Sequence, residues 1–142
     1  TRRQRLEERA LERKHNVLIV SDDEPWRDSC AEAFRSLGCQ TRTRRNGVEA
    51  IEILHKEIFD VVVSDDSCHE SMDPLELTLN ILDLAPNHPL ILLGGEDLAR
   101  FGYLWRHWEV FFAGSKADVL EMIPRSVATI RKPSDSSVGG SP

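Results

Sequence analysis

Short runs rich in branched residues recur five times along this chain, each separated from the next by enough residues for a helix. They are NVLIV (16–20), QTRT (40–43), DVVVS (60–64), PLILL (89–93) and VFFA (110–113). Four of them carry apolar residues at successive positions, the pattern of strands covered on both faces. QTRT is polar, as an edge strand can be. Between the runs the apolar residues recur at helical spacing. Trp26, Cys30, Ala33, Phe34 and Leu37 mark one stripe, closed by Gly38 as a left-handed cap. Val48, Ile51 and Leu54 mark the next, after the Asn46-Gly47 turn, and Leu75, Leu79 and Leu82 mark a third behind Pro74. EDLARFGYLWRHW is a short fourth helical segment broken by Gly102, and Val119, Leu120, Ile123, Val127 and Ile130 mark the last, with Pro124 inside it. Strand and helix in strict alternation make a parallel sheet with helices on both faces, because right-handed crossovers leave few alternatives.

The main domain is expected over residues 16–132. Residues 1–15 read as a helical extension or connector with a thin apolar stripe, Leu6, Ala10 and Leu11, and residues 133–142 as a Gly/Ser-rich tail or linker. Thr1 in place of Met fits a piece of a longer chain. The formal charge of −6 argues against nucleic acid as a direct partner, since phosphate backbones call for a basic surface. No apolar run approaches the ~20 residues of a membrane span, and the charged N-terminus has no signal-peptide core. Cys30, Cys39 and Cys68 show no metal or redox spacing and read as small apolar fillers, as in a reducing cytoplasm. The stretch RTRR (42–45) is expected to be a solvated edge, and His69 a solvated loop residue.

Two of the strands end in Ser-Asp-Asp, at 21–23 and at 64–66. In doubly wound folds, sites gather at the carboxyl ends of the strands. Asp22, Asp23, Asp65 and Asp66 should therefore converge. Clustered carboxylates repel one another, and a hard cation such as Mg2+ relieves them. A carboxylate beside a cation can attack a phosphoryl donor to give an aspartyl phosphate. No glycine-rich run accompanies these loops, which disfavours a nucleotide or flavin site. Acidic helix caps alone would account for one pair better than for two.

From about Asn16 to Lys132 the chain resembles a receiver domain of two-component response regulators. The residues that carry the likeness are VLIVSDDEP (17–25), LGCQTRTRRNGVEAI (37–51), FDVVVSDD (59–66), MDPLEL (72–77) and PLILLGG (89–95). The resemblance implies a flavodoxin-like, five-stranded sheet in the order 2-1-3-4-5. It makes Asp65 the phosphoacceptor. Mg2+, held weakly, would rest on Asp22, Asp65 and the Ser67 carbonyl, with Asp23 added if the first loop is read one residue along. Partners would be a histidine kinase, an effector domain or a second copy, in the cytoplasm.

The likeness also shows departures. Receivers usually carry two adjacent acids after the first strand, and the spacing to Gly38 puts Ser21 and Asp22 there. Gly94 stands where the family has a Thr or Ser that holds the phosphoryl group. Phe112 or Ala113 stands where it has a Lys followed by Pro, with Lys116 lying further on, at the start of the last helix. Such donors supply much of the catalysis in phosphoryl transfer. The expectation is therefore a degenerate, pseudo-receiver type of domain, acting through protein–protein interaction and not as an enzyme beyond slow autophosphorylation at Asp65. The alternative is a working receiver that accepts phosphate at Asp65 with Mg2+ on Asp22 and Asp65. Phe101, Tyr103, Trp105 and Trp108 form an aromatic group suited either to the core or to a partner surface.

Overall fold

The computed structural model of the chain describes residues 1–2, 14–65, 74–84, 89–95 and 110–131. Asp66, Ser67, Cys68 and His69, the aromatic group at Phe101, Tyr103, Trp105 and Trp108, the tail, and residues 3–13 of the extension lie outside these, as do the side chains of Pro74, Leu75, Val110 and Phe112. Five strands form one parallel sheet: β1 (Asn16–Val20), β2 (Gln40–Arg44), β3 (Val61–Asp65), β4 (Leu90–Gly94) and β5 (Val110–Ala113), in the order β2-β1-β3-β4-β5. Both β2 and β5 are edges, which explains why QTRT needs no apolar face. Four helices are described: α1 (Glu24–Ser36), α2 (Gly47–Leu54), α3 (Pro74–Leu84) and α4 (Lys116–Arg131).

Alternation along each strand divides the core in two. Val17, Ile19, Val61, Val63, Leu90 and Leu92 face α1 and α4, packing with Cys30, Phe34, Val119 and Ile123. Leu18, Val20, Val62, Ile91 and Leu93 face α2 and α3, packing with Ala50, Ile53, Leu77 and Ile81. Each strand side chain thus lands on a helix layer fixed by the period of two. The resulting doubly wound sheet, with helices on both faces, is the architecture expected from the sequence.

Local chemistry sets the ends of α1. Asp23 is its N-cap, with the carboxylate accepting from the Trp26 N–H at 3.2 Å. At the other end Gly38, at φ +88°, donates to the Arg35 carbonyl while Cys39 donates to that of Phe34, a Schellman closure. Arg131, in the last turn of α4, donates to the Leu37 carbonyl and ties that corner to α4. Helix α4 runs on through Pro124.

Two of the expected stripes are shifted. On α2 the buried residues are Gly47, Ala50 and Ile53, while Val48 is exposed. Among the described side chains of α3 they are Leu77, Thr78 and Ile81, with Leu79 exposed and Leu75 of the expected stripe outside the described side chains. Both helices carry apolar residues around much of their circumference, so spacing alone supports more than one face. Among the described residues, no helix is long and apolar enough to cross a membrane.

Cys30 lies at the heart of the α1 layer with no exposed surface. Burial, joined by the charges of Asp65 and Asp23, pushes its thiol up to about 12. With almost no thiolate and no access, Cys30 of the native protein should alkylate with iodoacetamide at pH 8 at least roughly a hundredfold more slowly than in urea, as read by peptide mass mapping. Equal labelling in both states would show that the α1 layer opens.

Candidate functional site

The carboxyl ends of the strands bring the chemistry together. Asp65 closes β3 and lies in register with Gly94 of β4, which in turn lies in register with Ala113 of β5. Asp65 follows Val63 by two residues and Ser21 follows Ile19 by two, so both point into the α1/α4 layer. Each is buried without exposed surface. The Ser21 hydroxyl donates to Asp65 Oδ2 at 2.8 Å and accepts from the Asp23 N–H at 3.0 Å. Arg27 holds the same loop from α1, donating to the Ser21 carbonyl at 2.9 Å. Ser21 is thus hydrogen-bonded directly to the candidate phosphoacceptor.

The first loop divides its two acids. Asp22 is exposed. Asp23 caps α1 through Oδ1, and through Oδ2 it accepts from Lys116 Nζ at 2.7 Å. Asp23, which only the reading shifted by a residue includes, is the carboxylate that meets Lys116, whereas Asp22, common to both readings, is the exposed one.

Phe112 or Ala113 stands at the strand end where the resemblance implies a lysine; the Phe112 side chain lies outside the described residues and Ala113 is buried. Yet Lys116, first residue of α4, reaches back so that its ammonium lies 2.7 Å from Asp23 and 3.2 Å from Asp65 Oδ2. It also stands 5.8 Å from the Trp26 ring centre, and its backbone carbonyl accepts from Trp26 Nε1 at 3.1 Å. The hydrogen bond to Asp23 raises the Lys116 pKa above its ordinary value, and the same bond holds the Asp23 carboxyl below its own. A cue was present in the sequence: Gly114-Ser115-Lys116 begins a helix directly beyond a strand end, with Ser115 capping it through the Asp118 N–H. From a helix's first turn, a four-carbon side chain spans the distance that strand-end placement would have saved.

At Gly94, where the resemblance implies a hydroxyl, the packing leaves no room for a side chain. A Cβ built on Gly94 would lie 2.5 Å from Val119 Cγ2, with the Ser115 carbonyl oxygen at 3.5 Å and Lys116 Cα at 3.8 Å. The first turns of α4 therefore fill the space beside the end of β4.

Does the crevice suit the divalent cation implied by the resemblance? Among the described residues, no group of three or more His, Cys, Asp or Glu side chains is arranged to hold a metal ion. The place between Asp23 and Asp65 is taken by the Lys116 ammonium. Of the ligands the resemblance implies, Asp22 is exposed, Asp65 is buried with Lys116 beside it, and Ser67 lies outside the described residues.

A doubly wound sheet with a buried strand-end aspartate, held by a serine and a lysine at the carboxyl edge, defines a receiver-like α/β domain. The family model for the response regulator receiver domain matches residues 17–100, and the chain belongs to that family. It is 34% identical over 84 residues to sensor histidine kinase RcsC of Salmonella typhimurium and 36% identical over 84 residues to that of Escherichia coli K12. Each match covers 58% of this chain and 9% of the relative. Among solved structures, the receiver domain of a signal transduction histidine kinase from Syntrophus aciditrophicus superposes with a TM-score of 0.64 at 20% identity, covering 84% of this chain and 96% of that one. The chemotaxis response regulator CheY4 of Vibrio cholerae does so with a TM-score of 0.63 at 20% identity, covering 80% and 99%. These likenesses carry the fold. The family places the chain in two-component signalling, where receiver domains interact with histidine kinases and effectors.

Proposed function

We propose that this domain is a receiver-type interaction module, of the pseudo-receiver kind, in which Asp65 is a poor phosphoacceptor. The single observation behind this reading is the crowding at Gly94: Val119 stands where a phosphate-holding hydroxyl would have to be built. Without that donor, a phosphoryl group on Asp65 loses one of the hydrogen bonds that stabilise its transition state, a loss that elsewhere costs about 10²–10³ in rate. The signal then passes to protein partners through surfaces other than a hydroxyl-and-aromatic switch. The domain would act in the cytoplasm, would hold Mg2+ weakly, and would not contact nucleic acid or membrane.

One observation favours the other reading, a working receiver. Lys116 puts a positive charge 3.2 Å from Asp65, where it could balance the charge of an acyl phosphate. Intact mass after incubation with acetyl phosphate and Mg2+ distinguishes the two. The proposal expects less than about a tenth of the chains to carry a phosphoryl adduct at steady state. Stoichiometric adduct that disappears in Asp65→Asn would establish the working receiver instead.

A further inference from the structure

Strand β2 closes one side of the sheet, paired only with β1 among the described residues. Its charge is opposite to that of the chain. The chain carries a formal −6, yet no acid falls between Glu32 and Glu49, a stretch that holds Arg35, Arg42, Arg44 and Arg45. Toward β1 the backbone is engaged: the Gln40 N–H donates to the His15 carbonyl at 2.8 Å, and the Arg44 carbonyl accepts from the Ser21 N–H at 3.0 Å. The period of two then turns the N–H and C=O of Thr41 and Thr43 to the outer edge, where a further strand would meet them. Arginines flank that edge on both sides. Arg42 and Arg44 lie in register with Leu18 and Val20, on the α2 face. On the α1 face, exposed Arg35 donates to Thr41 Oγ1 at 3.3 Å.

The edge is guarded, and the guard is selective. Arg44 folds back along its own strand and donates to the outward Thr43 carbonyl at 2.6 Å. Arg42 pairs with Glu57 at 3.3 Å and Arg45 with Glu49 at 3.7 Å, whereas among the described residues no carboxylate pairs with Arg35 or Arg44. A neutral strand arriving here finds the Thr43 carbonyl taken, and a second copy of β2 sets arginine against arginine. A carboxylate instead draws the Arg44 guanidinium away and leaves the Thr43 carbonyl to the newcomer's backbone N–H. We infer that β2 is a docking edge for an extended acidic segment of a partner protein, which adds as a further strand with acids at alternate positions facing Arg42 and Arg44. This rests on the interaction-module reading and gives it a surface, without requiring any event at Asp65.

The probe is a capped peptide of alternating glutamate and threonine, with glutamine–threonine and lysine–threonine counterparts, added to the full chain without a phosphoryl donor. Amide shifts and amide exchange are followed by NMR. The glutamate peptide is expected to bind at low salt with a Kd below about 1 mM, at least about tenfold tighter than either counterpart. Exchange at Thr41 and Thr43 should slow at least about tenfold, while Gln40, Arg42 and Arg44, already turned to β1, hold steady. Thr43→Pro removes an outward donor and no bond to β1, and should abolish the protection at Thr41. Arg44→Gln, which carries the test should Thr43→Pro fail to fold, should weaken the glutamate peptide at least about fivefold. Equal binding of the glutamate and glutamine peptides, or glutamate binding that leaves both threonine amides unprotected, would overturn the inference. Protection of the same amides by self-association, or tighter binding of an oligothymidine, would give the edge to a second copy or to nucleic acid and overturn it too. Any of these failures leaves the adduct measurement at Asp65 unaffected, so the two readings fall separately.

Discussion

Gly94→Ser lowers the melting temperature by about 10 °C, and Val119→Ala in the same chain returns at least half of that loss. The reason is steric. Any Cβ at position 94 meets Val119 Cγ2 at 2.5 Å, closer than real side chains pack. Val119 is fully buried in the α1/α4 layer, with Ile123 a turn beyond, so it cannot swing aside. Overpacking of this kind costs about 1–3 kcal/mol, and a domain of this size loses ~4 °C per kcal/mol. Val119→Ala alone leaves a small cavity and costs about 1–2 kcal/mol. In the double variant the serine Cβ occupies part of that cavity, so the two changes are non-additive in the stabilising direction. Strict additivity by thermal or urea melting would mean that α4 packs elsewhere.

Ser21→Asp, which puts an acid where the spacing to Gly38 expects one, destabilises the metal-free domain by about 3 kcal/mol or more, the scale of a buried charge without its own partner. Ser21 has no exposed surface and its hydroxyl donates to Asp65 Oδ2. A carboxylate there exchanges that donor for a like charge beside Asp65, and Lys116 already serves two acids. The introduced carboxyl should be pushed above its ordinary range by burial and by Asp65. A raised carboxyl pKa favours the folded state at low pH and loses that advantage as pH rises. The penalty of Ser21→Asp is therefore smallest near pH 4 and reaches its full size by neutral pH. Saturating Mg2+ should reduce it, because the three acids could then share an ion. A variant as stable as the wild type in EDTA at pH 7 would contradict the tight packing described around Asp65.

How much of this could be read in the residues alone depended on burial. The strand runs VVVSD and LILLG are buried at every position, and that is why runs of branched residues located them correctly. The edge strand QTRTR was equally readable as polar because one side lacks a neighbour. The convergence of the Ser-Asp-Asp stretches followed from topology, and for Asp23 and Asp65 the shared lysine bears it out. Helix faces were less legible. GVEAIEIL has apolar residues at 48, 50, 51, 53 and 54, so two stripes are available, and only the tertiary packing chooses Ala50 and Ile53. Lys116 escaped because a strand-end position was the natural place to look, whereas the reach of a side chain from the first turn of α4 depends on how that helix is docked. The same docking puts Val119 against Gly94. A missing hydroxyl can be seen in a sequence, but the loss of the space for it cannot.

The most direct test of the central claim is the rate at which Asp65 gains a phosphoryl group in the Gly94→Ser, Val119→Ala double variant. Acetyl phosphate with Mg2+ as donor and intact mass as the readout suffice, with Asp65→Asn as the control. If crowding at Gly94 is what limits phosphoryl handling, while Lys116 already supplies the charge, the folded double variant forms adduct at least about tenfold faster than the wild type. A folded double variant that forms adduct no faster than the wild type would contradict that claim.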